Sequence, residues 1–584
     1  MSRQSPGSPD PLTSSPDPSP QPQGTLPTDR VVFGVSAIVV LGVVSWGVFA
    51  QKSLGHASST ALGWVLHNFG WLFVVAADVF LVLTLLLAVS RFGPIRLGSD
   101  EERPEFSTLA WIAIMFSAGM GIGLMFYGVG EPLQLYAQPQ PGSGLTALTP
   151  AAARSALEFS LFHWTLHPWA IYAVGGLAMA YTTFRKGRGN RISAAFVPLL
   201  GERGASGWAG KGIDLLAVFA TVFGSATSLG LGALQVADGL GYISSVQNSR
   251  SLQLIIIGSL TAAFVLSAFS GVHKGVKWLS TANVVLASLI MLFVFVVGPT
   301  VYVLDAIPST VGGYLSDLVS MASQTGAFTD EKWLGSWTIF YWAWWLSWAP
   351  FVGTFIARIS RGRTVREFLV GVLLVPSGAT VIWFCVMGGT AIRLDATGRA
   401  NLVGTIPQGP EASLFAMMKS LPWGAVSSVV CVLLVMTYFV TSADSASLVL
   451  GSLSSGGSLH PRTWLVVVWG VLMGGVAAAL LLAGGLAALQ NATILVALPF
   501  VVVMLGLCLA LVKELRQDPA ARPSRFHPSH GLRDAVRAAV GEAVDEALAA
   551  QPVGAATATG GGVGGGGVGG TVTGGTTGHA PPSE

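Results

Sequence analysis

Tryptophan is the residue whose placement in this chain asks for a chemical reason. Six of the 18 tryptophans fall between Trp333 and Trp348, inside one apolar stretch. Leucine and valine satisfy hydrocarbon with less bulk, and tryptophan belts sit at the two membrane interfaces rather than through a span. At ~100° per residue, Trp337, Tyr341, Trp344 and Trp348 share one helical stripe, with Trp345 beside it. Aromatic faces carry negative potential and hold quaternary ammonium cations. A packing seam of bulky rings is the structural alternative.

A second aromatic wall lies upstream, at Trp164, Trp169 and Tyr172. Trp169 and Tyr172 share a face, Trp164 lies further round, and Pro168 predicts a kink. His163 and His167, in the same stretch, suit capping or interhelical hydrogen bonding better than proton carriage. Gly119, Gly121 and Gly123 fall within five residues, beside Ser117 and Met120. Each glycine weakens a helix by about 1 kcal/mol relative to alanine. Unwound backbone is tolerated at membrane depth only where it faces protein or a cavity. There, freed carbonyls can bind a cation and half-helix ends can orient a carboxylate; close glycine packing is the alternative. Hydroxyls recur at Thr221 and Ser225, one turn apart, and around Thr437, Thr441, Ser442, Asp444 and Ser445. Hydroxyls with open carbonyls suit Na⁺, whereas back-bonding to the helix is their routine use.

These residues must be positioned by membrane helices. The chain of 584 residues is 52% hydrophobic and 10% charged, with 73 glycines, and each span needs ~20 apolar residues. Twelve apolar segments follow one another at 31–50, 64–90, 107–128, 155–182, 213–235, 252–270, 277–303, 333–357, 367–392, 423–451, 463–485 and 489–512. The expected fold is an all-α polytopic membrane protein. Basic residues cluster in alternate loops, at Arg91–Arg103, Arg185–Lys211 and Arg358–Arg366 among others, while Asp305, Asp317, Asp330 and Glu331 mark the opposite side. The positive-inside rule then puts both termini in the cytoplasm. Residues 1–30 read as a disordered leader and 551–584 as a glycine-rich tail. Between 513 and 550 a basic segment precedes an amphipathic helix over Leu532–Leu548, with Val536, Val540 and Val544 at i+4 spacing. A basic segment there would bind anionic lipid; a solvated tail is the equal alternative. The net charge of +3 argues for no nucleic acid, and the three cysteines form no disulfide or metal pattern.

The glycine stretch Gly119–Gly128 with Glu131-Pro132, the Trp164/Trp169/Tyr172 set, the block Trp337–Arg363 and Thr441-Ser442-Ala443-Asp444-Ser445 together resemble the betaine/choline/carnitine transporter family from about Val31 to Val512. The resemblance implies a LeuT-like fold of twelve spans. Two inverted five-helix repeats, about 107–303 and 333–512, follow two extra helices, and relatives form trimers. It implies that Trp164, Trp169, Tyr172, Trp344, Trp345 and Trp348 line a substrate box beside the glycines of 119–123. It further implies one sodium site at Ser117, Met120, Tyr438, Thr441 and Ser442, and a second at Thr221, Ser225 and Phe351. Tyr438 stands where relatives often carry phenylalanine. Choline and carnitine members tend to carry aspartate where this chain has Gly123, so an uncharged pocket favours zwitterions such as glycine betaine, ectoine or a sulfonium analogue.

The resulting expectation is a plasma-membrane symporter that needs no cofactor and couples a zwitterionic solute to sodium. A proton-coupled choline or carnitine carrier is the alternative within the family. A channel would want a continuous polar pore, a sensor a signalling domain, and an enzyme convergent acid, base or nucleophile groups. None of these is present in the sequence.

Overall fold

A computed structural model of the chain describes residues 27–119, 121–244, 246–270, 273–521 and 537–543. The chain divides into two units, Met1–Arg522 and Pro523–Glu584. In the second, residues 537–543 are helical and exposed. The rest of the amphipathic helix expected over 532–548 lies outside the described residues, as does the leader up to residue 26.

The first unit is built from helices. In chain order these are α1 Arg30–Phe49, α2 Gln51–Val89, α3 Thr108–Gly119, α4 Ile122–Ala137, α5 Pro150–Trp164, α6 Leu166–Ala180, α7 Val197–Ser206, α8 Trp208–Ile243 and α9 Arg250–Ser270. They continue with α10 His273–Val297, α11 Thr300–Ala322, α12 Glu331–Leu334, α13 Phe340–Ile359, α14 Val365–Ala396, α15 Pro410–Ser420, α16 Gly424–Leu453, α17 Thr463–Gly484 and α18 Leu486–Gln517. Each of the twelve apolar segments falls mainly on helical backbone. Among the described residues nine helices are long and apolar enough to cross a membrane. The other three segments, 107–128, 155–182 and 333–357, are assembled from interrupted pieces.

Each interruption has a local cause. α3 stops at Gly119 and α4 restarts at Ile122, with Gly121 fully extended at φ −160°, ψ −171°. The fourth segment breaks at Thr165 (φ −114°, ψ −108°), ahead of Pro168. Pro168 has no N–H to return to the Trp164 carbonyl, so the preceding turn is released. The eighth segment enters through a π-turn, Gly335–Ile339, before α13; such turns cluster at functional sites.

Some boundaries differ from the sequence expectation. α2 begins at Gln51 rather than near 64, because small and hydroxyl residues such as Ser53, Ser58 and Ser59 still pair with neighbouring groups at that end. The segment 277–303 ends at Val297, where Gly298 and Pro299 stop the helix before α11 starts afresh. In the packed bundle α13 lies against α6, α8 and α18, while α16 packs on α8 and α14 on α4. α2 packs on α18 and α6, and α1 on α17.

One end of the bundle is stitched by the loops that carry the basic residues. The Leu97 N–H donates to the Arg363 carbonyl and the Gly362 N–H to the Leu97 carbonyl, both at 2.8 Å. Gly362 has φ +78°, and a Cβ there would fall 2.3 Å from the Arg103 carbonyl oxygen, so only glycine fits. Arg363 lies 4.1 Å over the Trp111 ring and donates to the Phe106 carbonyl. Arg185, at the π-helical end of α6, grips Asp518 with Nε and Nη2 and donates to Asp100 and to the Gly98 carbonyl. Tyr181 donates to the same Asp518 carboxylate. Burial pushes the Asp518 carboxyl up, but the Arg185 and Tyr181 hydrogen bonds outweigh it and hold the group at about 2 against an ordinary 3.8.

A carboxyl held low in the folded state contributes stability above its ordinary pKa and loses it as pH falls toward 2. Asp518→Asn is therefore expected to cost about 2 kcal/mol at pH 7, with the gap to wild type narrowing at pH 3. Thermal unfolding of the detergent-purified protein at both pH values checks this. An equal gap at both would rule out an ionised Asp518 as the cause.

Candidate substrate-binding site

A cavity of about 580 Å³ lies where the interrupted helices meet. Trp164 reaches it from the end of α5, Trp169 and Tyr172 from the first turns of α6, and Trp344, Trp345 and Trp348 from α13. The two aromatic walls expected from sequence therefore face one space. Trp164 meets Trp345 at 4.8 Å and 75°, and Tyr172 meets Trp345 at 6.1 Å and 80°. Trp344 and Trp345 are stacked at 5.1 Å and 11°. Near-perpendicular rings present faces from several directions at once, which is the geometry that surrounds an ammonium group.

The broken third segment supplies the third side. Gly121, Ile122 and Gly123 line the cavity, and no side chain caps the start of α4. The first amides of that helix are thus left with a positive dipole end and no side-chain acceptor. Gly123 is required by the rings: a Cβ there would lie 2.7 Å from Trp344 and 2.9 Å from Trp164. Gly119 ends α3, while Met120 and the Ser117 side chain lie outside the described residues.

Tyr438, Thr441 and Ser442 of α16 line the same cavity, as does Phe351 of α13. Thr441 Oγ1 accepts from Asn283 Nδ2 at 3.2 Å and donates to the Thr437 and Tyr438 carbonyls. Thr221 and Ser225 are buried in α8 and are not part of the lining; Thr221 donates to the Ala217 carbonyl at 2.8 Å. A Cβ at Gly224, between them, would meet Ser347 and Trp348 of α13, so this stretch of α8 rests against the α13 face that carries Phe351.

Several determinants are not marked by the sequence. Glu131, in sequence a lone acid after the glycine stretch, is fully buried on α4. Trp164 Nε1 donates to its Oε2 at 2.7 Å, and the Tyr341 hydroxyl to the same oxygen at 2.5 Å. His163 Nδ1 sits 2.7 Å from Oε1, and its other ring nitrogen lies 3.0 Å from Thr338 Oγ1. The His163 carbonyl in turn accepts from Trp345 Nε1 at 2.9 Å. The histidines are thus interhelical bonders, with His167 Nε2 lying 3.1 Å from Asp78 of α2. Asn283, which also accepts from Thr437 at 2.6 Å, carries only the signal of a lone amide in an apolar span. Among the described lining residues none is charged.

This arrangement, a broken-helix membrane bundle around an aromatic cavity, defines a carrier for a small solute. The sequence pattern of the BCCT, betaine/carnitine/choline family transporters matches residues 31–520, and the chain belongs to that family. It is a transporter, not an enzyme. The glycine betaine transporter OpuD of Bacillus subtilis is 46% identical over 489 residues, covering 83% of this chain and 94% of its own. The betaine/ectoine transporter LcoP of Corynebacterium glutamicum is 42% identical over 504 residues, covering 85% and 79%. Glycine betaine transporter 1 of Vibrio parahaemolyticus is 42% identical over 496 residues, covering 83% and 94%.

Because a Cβ at Gly123 would crowd both rings, Gly123→Ala is expected to displace Trp344 or Trp164 at a cost of about 1–3 kcal/mol. Read in ligand binding, that is roughly a 5- to 150-fold loss. Titration of glycine betaine by tryptophan fluorescence measures it; unchanged affinity would mean that ring placement at this contact does not matter.

Proposed function

We propose that the protein is a sodium-coupled importer of a zwitterionic compatible solute, glycine betaine first among them. The observation that carries this reading is the aromatic cavity without a charged side chain in its described lining. Ring faces hold the quaternary ammonium, and a substrate with its own carboxylate needs no counter-charge from the protein. That carboxylate would sit toward the uncapped start of α4. A cationic solute such as choline would lack this compensation.

Thr441, Ser442 and the Tyr438 carbonyl, with backbone at Ser117 and Met120, would hold one sodium ion. Thr221, Ser225 and Phe351 would hold the second. Oxygen donors of this kind fit a hard monovalent cation. The twelve apolar segments, with breaks in the third and fourth and a bulge in the eighth, support a LeuT-like pair of inverted repeats after two extra helices. Alternating access would then rock these repeats about the fixed midplane site. The cavity lining runs from Trp164 to Phe355 and Ser445, toward the end stitched by the Arg363 and Asp518 networks. In this reading that end is cytoplasmic with both termini, the protein sits in the plasma membrane, and three copies assemble. Ectoine is the second substrate favoured, because a relative named a betaine/ectoine transporter is 42% identical.

Uptake of labelled glycine betaine into proteoliposomes tests the reading. Accumulation is expected under an inward sodium gradient and not under an equal potassium gradient. Equal uptake under both would overturn sodium coupling. Accumulation of ectoine alone would move the substrate without changing the mechanism, and accumulation of choline alone would overturn the zwitterion assignment.

A further inference from the structure

Of the buried polar side-chain atoms that find no partner among the described residues, two belong to residues that line the aromatic cavity: Tyr438 Oη and Trp348 Nε1. Both can donate. Three other indole N–H groups of the cavity wall are committed, Trp164 to Glu131, Trp344 to Ser228 and Trp345 to the His163 carbonyl. A buried donor with no acceptor is costly, and a ligand that supplies the acceptor recovers the cost.

We infer that the Tyr438 hydroxyl is a specificity-determining donor that binds the anionic group of the substrate; this rests on the reading of the cavity as the solute site. Position supports the role. A Cβ at Gly232 of α8 would lie 3.0 Å from Ile122 and 3.5 Å from Phe439. The turn of α16 carrying Tyr438 is thus level with the start of α4, whose first amides have no side-chain cap. Tyr438 is only 4% exposed, so water does not compete freely for its hydroxyl. A trimethylammonium group offers no acceptor, and only the carboxylate end of a zwitterion can pair with this oxygen. A solute lacking an acceptor leaves the hydroxyl unpaired, and a site built around a hydrogen bond discriminates strongly against such a ligand.

Tyr438→Phe removes one oxygen and keeps the ring. Fluorescence titration of the full-length variant is expected to show glycine betaine bound about tenfold or more weakly. Tetramethylammonium affinity and the sodium concentration for half-activation are expected to stay unchanged. In the wild-type protein, tetramethylammonium is expected to bind at least about tenfold more weakly than glycine betaine. Unchanged betaine affinity in the variant, or equal affinities of the two ligands for wild type, overturns the inference. Equal weakening of both ligands would make the Tyr438 hydroxyl a packing group. Shifted sodium activation, which the retained Tyr438 carbonyl does not predict, would mean that the hydroxyl serves the ion and not the solute; either also overturns it. Absence of betaine binding by wild type would instead remove the substrate reading on which the inference rests.

Discussion

A buried carboxylate holds the walls of this site in place. Glu131 has no exposure, yet it accepts from Trp164 and Tyr341 and pairs with His163. It stands on α4, two of its partners on α5 and the third on α13, so one side chain joins three elements. A polar group so deep is stable only when its hydrogen bonds are made. The same bonds fix the ring of Trp164 and, through the His163 carbonyl, that of Trp345. Cation–π attraction depends on the angle of each ring, so the box depends on Glu131 although Glu131 is not part of the lining.

The interruptions in the helices follow from the same need. A continuous helix would satisfy all its own backbone groups and leave nothing for a solute. Breaking the third segment at Gly119–Gly123 leaves the start of α4 uncapped beside the rings. The break at Thr165 sets Trp164 and Trp169 on differently directed helices. At the far end, the Arg185–Asp518 and Arg361–Glu102 pairs tie α6, α18 and the loops at Gly98 and Gly362 together. Of these ties the Arg361–Glu102 pair is partly exposed and cheap to remake, whereas the Arg185–Asp518 pair is buried and holds more firmly.

Much of this is legible in the sequence because it rests on local chemistry. Glycine spacing announces the break at 119–122, and Pro168 announces that at Thr165. The tryptophan stripe announces a wall, because no membrane face needs so many large rings. Groups whose meaning depends on distant partners are opaque. Glu131 is a single acid beside a proline until α5 and α13 bring Trp164 and Tyr341 to it. Asn283 is one amide in an apolar run until Thr437 and Thr441 face it. The π-turn at Gly335–Ile339 leaves no periodicity to read, since one added residue per turn lies within the scatter of an apolar run. Thr221 and Ser225 fall where expected along α8, but off the cavity wall, because the Gly224 face packs directly on α13.

In the proposed reading, the aromatic walls hold the positive charge of the solute rather than its shape. Glycine betaine and 3,3-dimethylbutyrate share size and carboxylate, and differ in a quaternary nitrogen against a quaternary carbon. Competition of both against labelled glycine betaine, on purified protein in sodium, separates the two contributions. A desolvated cation over ring faces contributes about 2 kcal/mol, so the carbon analogue is predicted to compete at least about tenfold more weakly. Equal competition would show that the rings merely shape an apolar cavity, and would contradict a site founded on cation–π attraction.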